Sequence, residues 1–206
     1  MDRRQKKTRE AIFQAFTSLI IKRQYNTITI QDIIDKADIG RSTFYSHFET
    51  KDDLIKSMCD ELFHHITQSL FDKQNAHCIM IKDNAHHSIF YHIMRHLQED
   101  DSSILKLLSC NDNEIVLRYF KQNMNNLLCK EAFSKPQMNS TEIPEDFLIN
   151  HISSSFVEMV RWWVNNDMQP EPLKMDEYFR SVMSGAFDKV KKFKHNHIWI
   201  DSQSID

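Results

Sequence analysis

The sequence predicts an all-α fold, and three observations carry that prediction. Only 2 glycines and 4 prolines stand in 206 residues, too few for the tight turns and positive-φ positions of an all-β chain. Apolar residues recur at i, i+3, i+4 and i+7 along most of the chain, the period of an amphipathic helix. Capping residues stand where two of those segments begin. The shortage of glycine also excludes phosphate-cradling loops and the dinucleotide fingerprint, which need glycine where the backbone approaches a ligand. With 41% hydrophobic and 27% charged residues, the chain has enough apolar groups to build a core and is not of the disordered class.

The first helix is predicted over residues 6–23, with Ile12, Phe13, Phe16, Leu19 and Ile20 on one face. Thr29 reads as an N-cap with Asp32 as its capping-box partner. Ile30, Ile33, Ile34 and Ala37 then give a second helix of about two turns. It stops at Asp38-Ile39-Gly40, where Asp38 can take the left-handed conformation that ends a helix. A third short helix covers 41–47, with Phe44 inward and Arg41, Ser42, Thr43, Tyr45 and His47 left outside. Thr50, with Asp53 as box partner, opens a long helix whose Leu54, Met58, Leu62, Ile66 and Leu70 form an i+4 ladder.

Two short helices joined by a four-residue turn, the second too small to bury a core of its own, form a helix-turn-helix unit. The exposed hydroxyls, Arg and His of its second helix suit phosphate oxygens and base edges better than packing. Charge agrees. Residues 1–51 hold ten Lys and Arg against six acids, a balance of +4, whereas the whole chain carries −3. A basic head on an acidic body points to a polyanion as the head's partner.

The stretch from Thr29 to Leu54 resembles the DNA-binding signature of the TetR family. Ala37, Ile39, Thr43, Phe44, Tyr45, His47, Phe48, Lys51, Asp52, Asp53 and Leu54 match its pattern. Asp38 stands at the family's usual Gly and Gly40 at its usual Ser or Thr. The resemblance implies a TetR-like fold: a three-helix DNA-binding domain over 1–50 and a larger helical effector-binding and dimerisation domain over 51–206. It implies backbone contacts to DNA from Thr43, Tyr45, His47 and Lys51. Arg41 and Ser42, at the start of the recognition helix, are placed for base edges, and Thr29 joins the DNA-facing set. The implied partners are a double-stranded operator of pseudo-palindromic form, a second copy of the chain, and an unidentified small-molecule effector.

In the body, helices are predicted at about 84–99, 102–109, 112–133, 145–166 and 176–192, with 134–144 as a loose loop. Ile149, Ile152, Phe156 and Trp163 make one stripe, and Leu148, Met159 and Trp162 a second. A helix apolar on two faces is covered on two sides. With Phe179, Met183 and Phe187 of the last helix, the expected dimer interface is Ile149, Ile152, Phe156, Trp163, Phe179, Met183 and Phe187, in a four-helix bundle about a two-fold axis. Phe90, Met94, Tyr119, Phe120 and Trp162 are the candidate ligand pocket. The segment Met159–Met168, with its Trp162-Trp163 pair, followed by Pro170 and Pro172, resembles a TetR subgroup that includes activators of dihydroxyacetone-kinase operons.

Other chemistries are weakly supported. His92 and His96 lie at i, i+4, with His86, His87 and Cys78 before them, a spacing open to a metal ion. No acidic or thiolate partner stands at a telling distance in sequence, so no metal and no cofactor are assigned. No GxSxG motif occurs, and the chain is read as no enzyme. The four cysteines (Cys59, Cys78, Cys110, Cys129) include no CxxC and read as reduced thiols. No run of apolar residues is long enough for a membrane span, and the basic N-terminus lacks an apolar signal core, so the expected location is the cytoplasm. The function expected is transcriptional regulation, with repression as the main reading. An activator controlled by a protein partner and a DNA-binding chromosome organiser remain the alternatives.

Overall fold

A computed structural model of the chain describes residues 3–71, 88–99, 103–109, 114–132 and 143–189. The regular elements among them are all helical. They are α1 (Arg3–Ile20), α2 (Ile30–Ala37), α3 (Arg41–Tyr45), α4 (Lys51–Phe71), α5 (Ile89–Glu99), α6 (Ser103–Leu108), α7 (Glu114–Ala132), α8 (Glu145–Asn165) and α9 (Pro172–Lys189), with a 3-10 turn over Tyr25–Thr27. None of the described helices is long and apolar enough to cross a membrane.

The order of elements matches the all-α expectation, with differences at the ends. α9 begins at Pro172 and not near residue 176. A proline in the first turn loses no intrahelical hydrogen bond and brings its φ already set. The N–H groups of Lys174 and Met175 close onto the Glu171 carbonyl. α3 is shorter than predicted, but the N–H groups of Ser46, His47 and Phe48 still turn back onto Ser42 and Phe44. Residues 134–142 of the loop predicted over 134–144, together with Cys78, His86, His87 and Cys110, lie outside the described residues.

Contacts divide the chain into two compact units, Met1–Leu62 with Asp101–Tyr119, and Phe63–Asp100 with Phe120–Asp206. The cuts fall inside α4 and α7. In the first unit, Ile12, Phe16, Ile33, Phe44, Leu54 and Ile55 are buried. Phe48 packs at 5.8 Å from Phe13 and 6.0 Å from Phe44. In the second unit, Phe90 meets Phe179 at 4.8 Å, Phe156 at 5.0 Å and Phe187 at 5.8 Å. Four phenylalanines from α5, α8 and α9 thus form one aromatic centre, and such pairs add to what their burial alone contributes.

Candidate nucleic-acid interface

The helix-turn-helix is assembled by local hydrogen bonds. The Asp32 N–H donates to Thr29 Oγ1 (3.1 Å) and the Thr29 N–H donates to Asp32 Oδ2 (2.7 Å), closing a capping box at the start of α2. Thr29 and Arg23 hold the Asp32 carboxyl down at about 2. α2 ends at Asp38, whose φ of 53° and ψ of 52° are left-handed, the conformation that Asp tolerates better than most residues. Gly40, by contrast, has φ −76°. A Cβ there would meet Thr43 Oγ1 at 3.6 Å, ordinary contact, so the glycine answers no backbone need and simply removes a hydroxyl.

α3 is anchored by one fully buried side chain, Phe44. Around it Arg41, Ser42 and Tyr45 are exposed, while Thr43 and His47 are half-buried. The Arg41 guanidinium lies 5.9 Å over the Tyr45 ring, a contact that draws two chemically suitable groups together on the outer face. Thr43 sits above Gly40, and the His47 ring lies 6.1 Å from Phe48. Thr29 is exposed, and its hydroxyl is engaged with Asp32.

Lys51 sits differently from its neighbours in the motif. Its Nζ donates to the carbonyls of Tyr25 (2.9 Å) and Ile28, and lies 4.4 Å over the Tyr25 ring. Desolvation holds its pKa below the usual lysine range. The ammonium therefore has internal partners, which spacing alone does not reveal. The α4 start is completed by the predicted Thr50–Asp53 box, both bonds at 3.0 Å.

A second cationic group was legible in the sequence only as charge. Arg3, Arg4, Lys6 and Lys7 are all exposed on the opening turns of α1, which carry no acid in the first turn. Lys6 approaches Glu10 at 4.0 Å. Cations at a helix N-terminus oppose the helix dipole, so this cluster is not explained by helix stability. One turn on, Arg9 stacks over Phe48 at 5.0 Å, beside the end of the recognition helix.

The residues expected at the dimer interface face the interior of the chain. Ile149, Ile152, Phe156, Trp163, Phe179, Met183 and Phe187 are all buried within the chain itself, Phe156 and Trp163 completely. Trp163 also donates its indole N–H to the Pro170 carbonyl at 2.7 Å, tying the turn between α8 and α9. Among the described residues of α8 and α9, five large apolar side chains stand outside that core. Trp162 is 52% exposed, Tyr178 50% and Val182 82%, with Phe147 and Leu173 beside them in type. Phe147 stacks on His151 (6.2 Å, 8° between planes). Successive residues point about 100° apart on a helix, far enough for Trp163 to enter the core while Trp162 stays outside.

Three of the candidate pocket residues lie in the core of the second unit. Phe90, Met94 and Phe120 are fully buried in the second unit, Phe90 in the phenylalanine centre and Phe120 against Phe63 at 5.0 Å. Tyr119 belongs to the first unit, and Trp162 is exposed. In the same body, Asp176 is almost wholly buried. It accepts from Ser88 Oγ and pairs with Arg180 at 3.0 Å, and burial raises its pKa. His96 is buried and packs edge-on against His65 at 5.1 Å. Among the described residues, no three His, Cys, Asp or Glu side chains gather as a metal site. Burial pushes the Cys59 thiol up to about 12.

Comparisons with known proteins bear on both ends of the chain. A family model described as "Bacterial regulatory proteins, tetR family" matches residues 10–58, and one described as "Transcriptional regulator C-terminal region" matches residues 84–185. An uncharacterised HTH-type transcriptional regulator of Bacillus subtilis (strain 168), YxbF, is 42% identical over 72 residues. That match covers 32% of this chain but only 19% of the relative's length. A TetR transcriptional regulator from Streptococcus agalactiae 2603V is 32% identical in its crystal structure, with a TM-score of 0.62, over 88% of this chain and 96% of that one. The dihydroxyacetone kinase operon activator DhaS is 19% identical with a TM-score of 0.50, over 89% of this chain and 96% of its own. At that identity the likeness bears on the fold alone.

Proposed function

The chain belongs to the TetR family of bacterial transcriptional regulators, and from that premise we propose a ligand-responsive repressor that grips a pseudo-palindromic operator as a homodimer. The observation that carries the proposal is the make-up of α3. One buried phenylalanine holds a helix from which Arg41, Ser42 and Tyr45 face outward and Thr43 is half-buried. Arg41 reaches base edges, where the paired acceptors of guanine suit a guanidinium. Ser42, Thr43, Tyr45 and His47 position the helix on phosphates. Thr29 and Lys51 act chiefly by shaping the motif that presents them. The cations at the start of α1 add contacts to flanking phosphates.

The head is residues 1–50 and the effector and dimerisation body 51–206, with work in the cytoplasm. Two copies join through the outer face of α8 and α9, around Trp162, Tyr178 and Val182. Exposed aromatic and aliphatic groups of that size on neighbouring helices are what a subunit interface covers. A small molecule in the body releases DNA by binding one of two head arrangements more tightly, and it shifts the balance only by that difference in affinity.

The test is selection of binding sites from random duplex DNA with the full chain. Two matching half-sites related by a dyad are the expected yield, about one helical turn apart for dimers of this kind. Recovery of direct repeats, or of no shared sequence, would overturn the proposal.

A further inference from the structure

Asp52, the second residue of α4, is held from two sides. One carboxylate oxygen accepts a hydrogen bond from the Tyr25 hydroxyl, and the other accepts from the Arg118 guanidinium at 3.3 Å. Tyr25 belongs to the short turn that precedes the helix-turn-helix, and Arg118 to the opening turns of α7. All three residues lie in the first compact unit, whose α7 portion ends at Tyr119. From Phe120 onward the same helix belongs to the second unit.

We infer that Asp52, Tyr25 and Arg118 form a latch through which α7 sets the position of the DNA-reading helices; this rests on the DNA-binding reading above. The path from Arg118 is continuous. Asp52 fastens Tyr25, whose ring is edge-on to Phe16 of α1 (6.4 Å, 90°) and lies under the Lys51 ammonium. Lys51 in turn bonds the carbonyls of Tyr25 and Ile28, and Ile28 leads directly into Thr29, the cap of α2. A shift of α7 by one side chain's length therefore reaches the helix-turn-helix through hydrogen bonds and one covalent step.

The exposure of the pair decides what kind of role this is. The side chains of Arg118 and Asp52 are 61% and 45% exposed, and exposed ion pairs add little to stability. What such a pair does supply is direction, because the guanidinium selects which side of α7 faces α4. Tyr25 reinforces the same carboxylate from a drier side, where burial and Asp52 together push its hydroxyl pKa well above the usual tyrosine range. These are positioning residues, with DNA contact left to α3.

The experiment measures affinity of the full chain for its selected operator by fluorescence anisotropy, at two salt concentrations. The variants are Arg118→Met, Asp52→Asn, their double, Arg118→Lys and Tyr25→Phe. Each of Arg118→Met and Asp52→Asn should change affinity about 2–5-fold in the same direction, the range that an exposed ion pair can move an equilibrium. The double should change it no further than the larger single, and Arg118→Lys should restore most of the parent value. The slope of log affinity against log salt should stay as in the parent. Additive effects, or parent-like affinity in every variant, would overturn the latch. A shallower slope for Arg118→Met would overturn it too, by placing Arg118 on a phosphate. So would losses that merely track a fall in melting temperature, with unchanged affinity per folded molecule. Failure of the parent to select any sequence would instead remove the DNA-binding reading and the latch with it.

Discussion

The recognition helix α3 and the paired helices α8 and α9 arrange their side chains by opposite rules. α3 has 5 residues and buries one of them, Phe44. Inside and outside are distinct there because a helix that short has a single anchor. α8 has 21 residues and is apolar on two faces, one occupied by Ile152, Phe156 and Trp163, the other by Phe147 and Trp162. The buried face is committed to the chain's own core. The exposed one is available to a second copy. Polar surroundings make a surface readable at α3, while on the outer side of α8 Phe147 and Trp162 stand among exposed polar residues such as Asn150, Glu158 and Arg161.

The contrast breaks most severely if the buried face is the shared one. Phe156→Ala should cost about 3–5 kcal/mol of folding stability, because a completely buried aromatic is deleted from a packed centre. Denaturant unfolding of the isolated variant reads this out. A folded, fully stable monomer would mean that Phe156 meets a partner subunit and not its own core.

The complementary change is on the open face. Val182→Asp, at a position 82% exposed, should keep the helix content while producing monomers in light scattering, with a melting temperature that no longer rises with protein concentration. Operator affinity should fall about 100-fold or more, since two linked heads bind far better than one. A persistent dimer with Val182→Asp together with Trp162→Glu would move the interface elsewhere.

A finer division lies within α3 itself. Arg41→Ala should cost about 1–3 kcal/mol at particular bases and flatten preference there. Tyr45→Phe should weaken all sequences alike. Titrations on operator and scrambled DNA decide it, and equal loss on both for Arg41→Ala would make Arg41 a clamp. The α1 cluster should behave as a clamp from the outset. The Arg3→Ala, Arg4→Ala double variant should lower the salt slope by about 1–2 units and leave base preference unchanged. An unaltered slope would remove α1 from the interface.

The smallest expected effect is an acid-side one in the head. The Asp32 carboxyl sits at about 2, below its ordinary 3.8. Its contribution is therefore complete above the unfolded value and is lost as pH falls from about 4 through about 2. Asp32→Asn should flatten the melting-temperature profile across that window relative to the parent. Parallel profiles would show that Asp32 contributes nothing there.

Much of the head was legible without coordinates, because its signals are local. Thr29 with Asp32, and Thr50 with Asp53, satisfy helix N–H groups within three residues of themselves, and Asp38 ends α2 through its own backbone torsion. These interactions depend on short-range geometry that spacing encodes directly. The all-helical class and the order of helices followed from periodicity for the same reason.

Tertiary structure decided whatever depended on a partner distant in sequence. The ammonium of Lys51 turns to Tyr25 and Ile28, more than 20 residues away, and nothing near Lys51 announces it. Trp162 and Trp163 are the same residue type side by side, yet one is exposed and one carries a hydrogen bond to Pro170. An apolar stripe states that a face seeks cover. Which neighbour supplies that cover is settled only when α5, α8 and α9 close around Phe90, because burial is a property of the packed assembly and not of the helix that contributes the side chain.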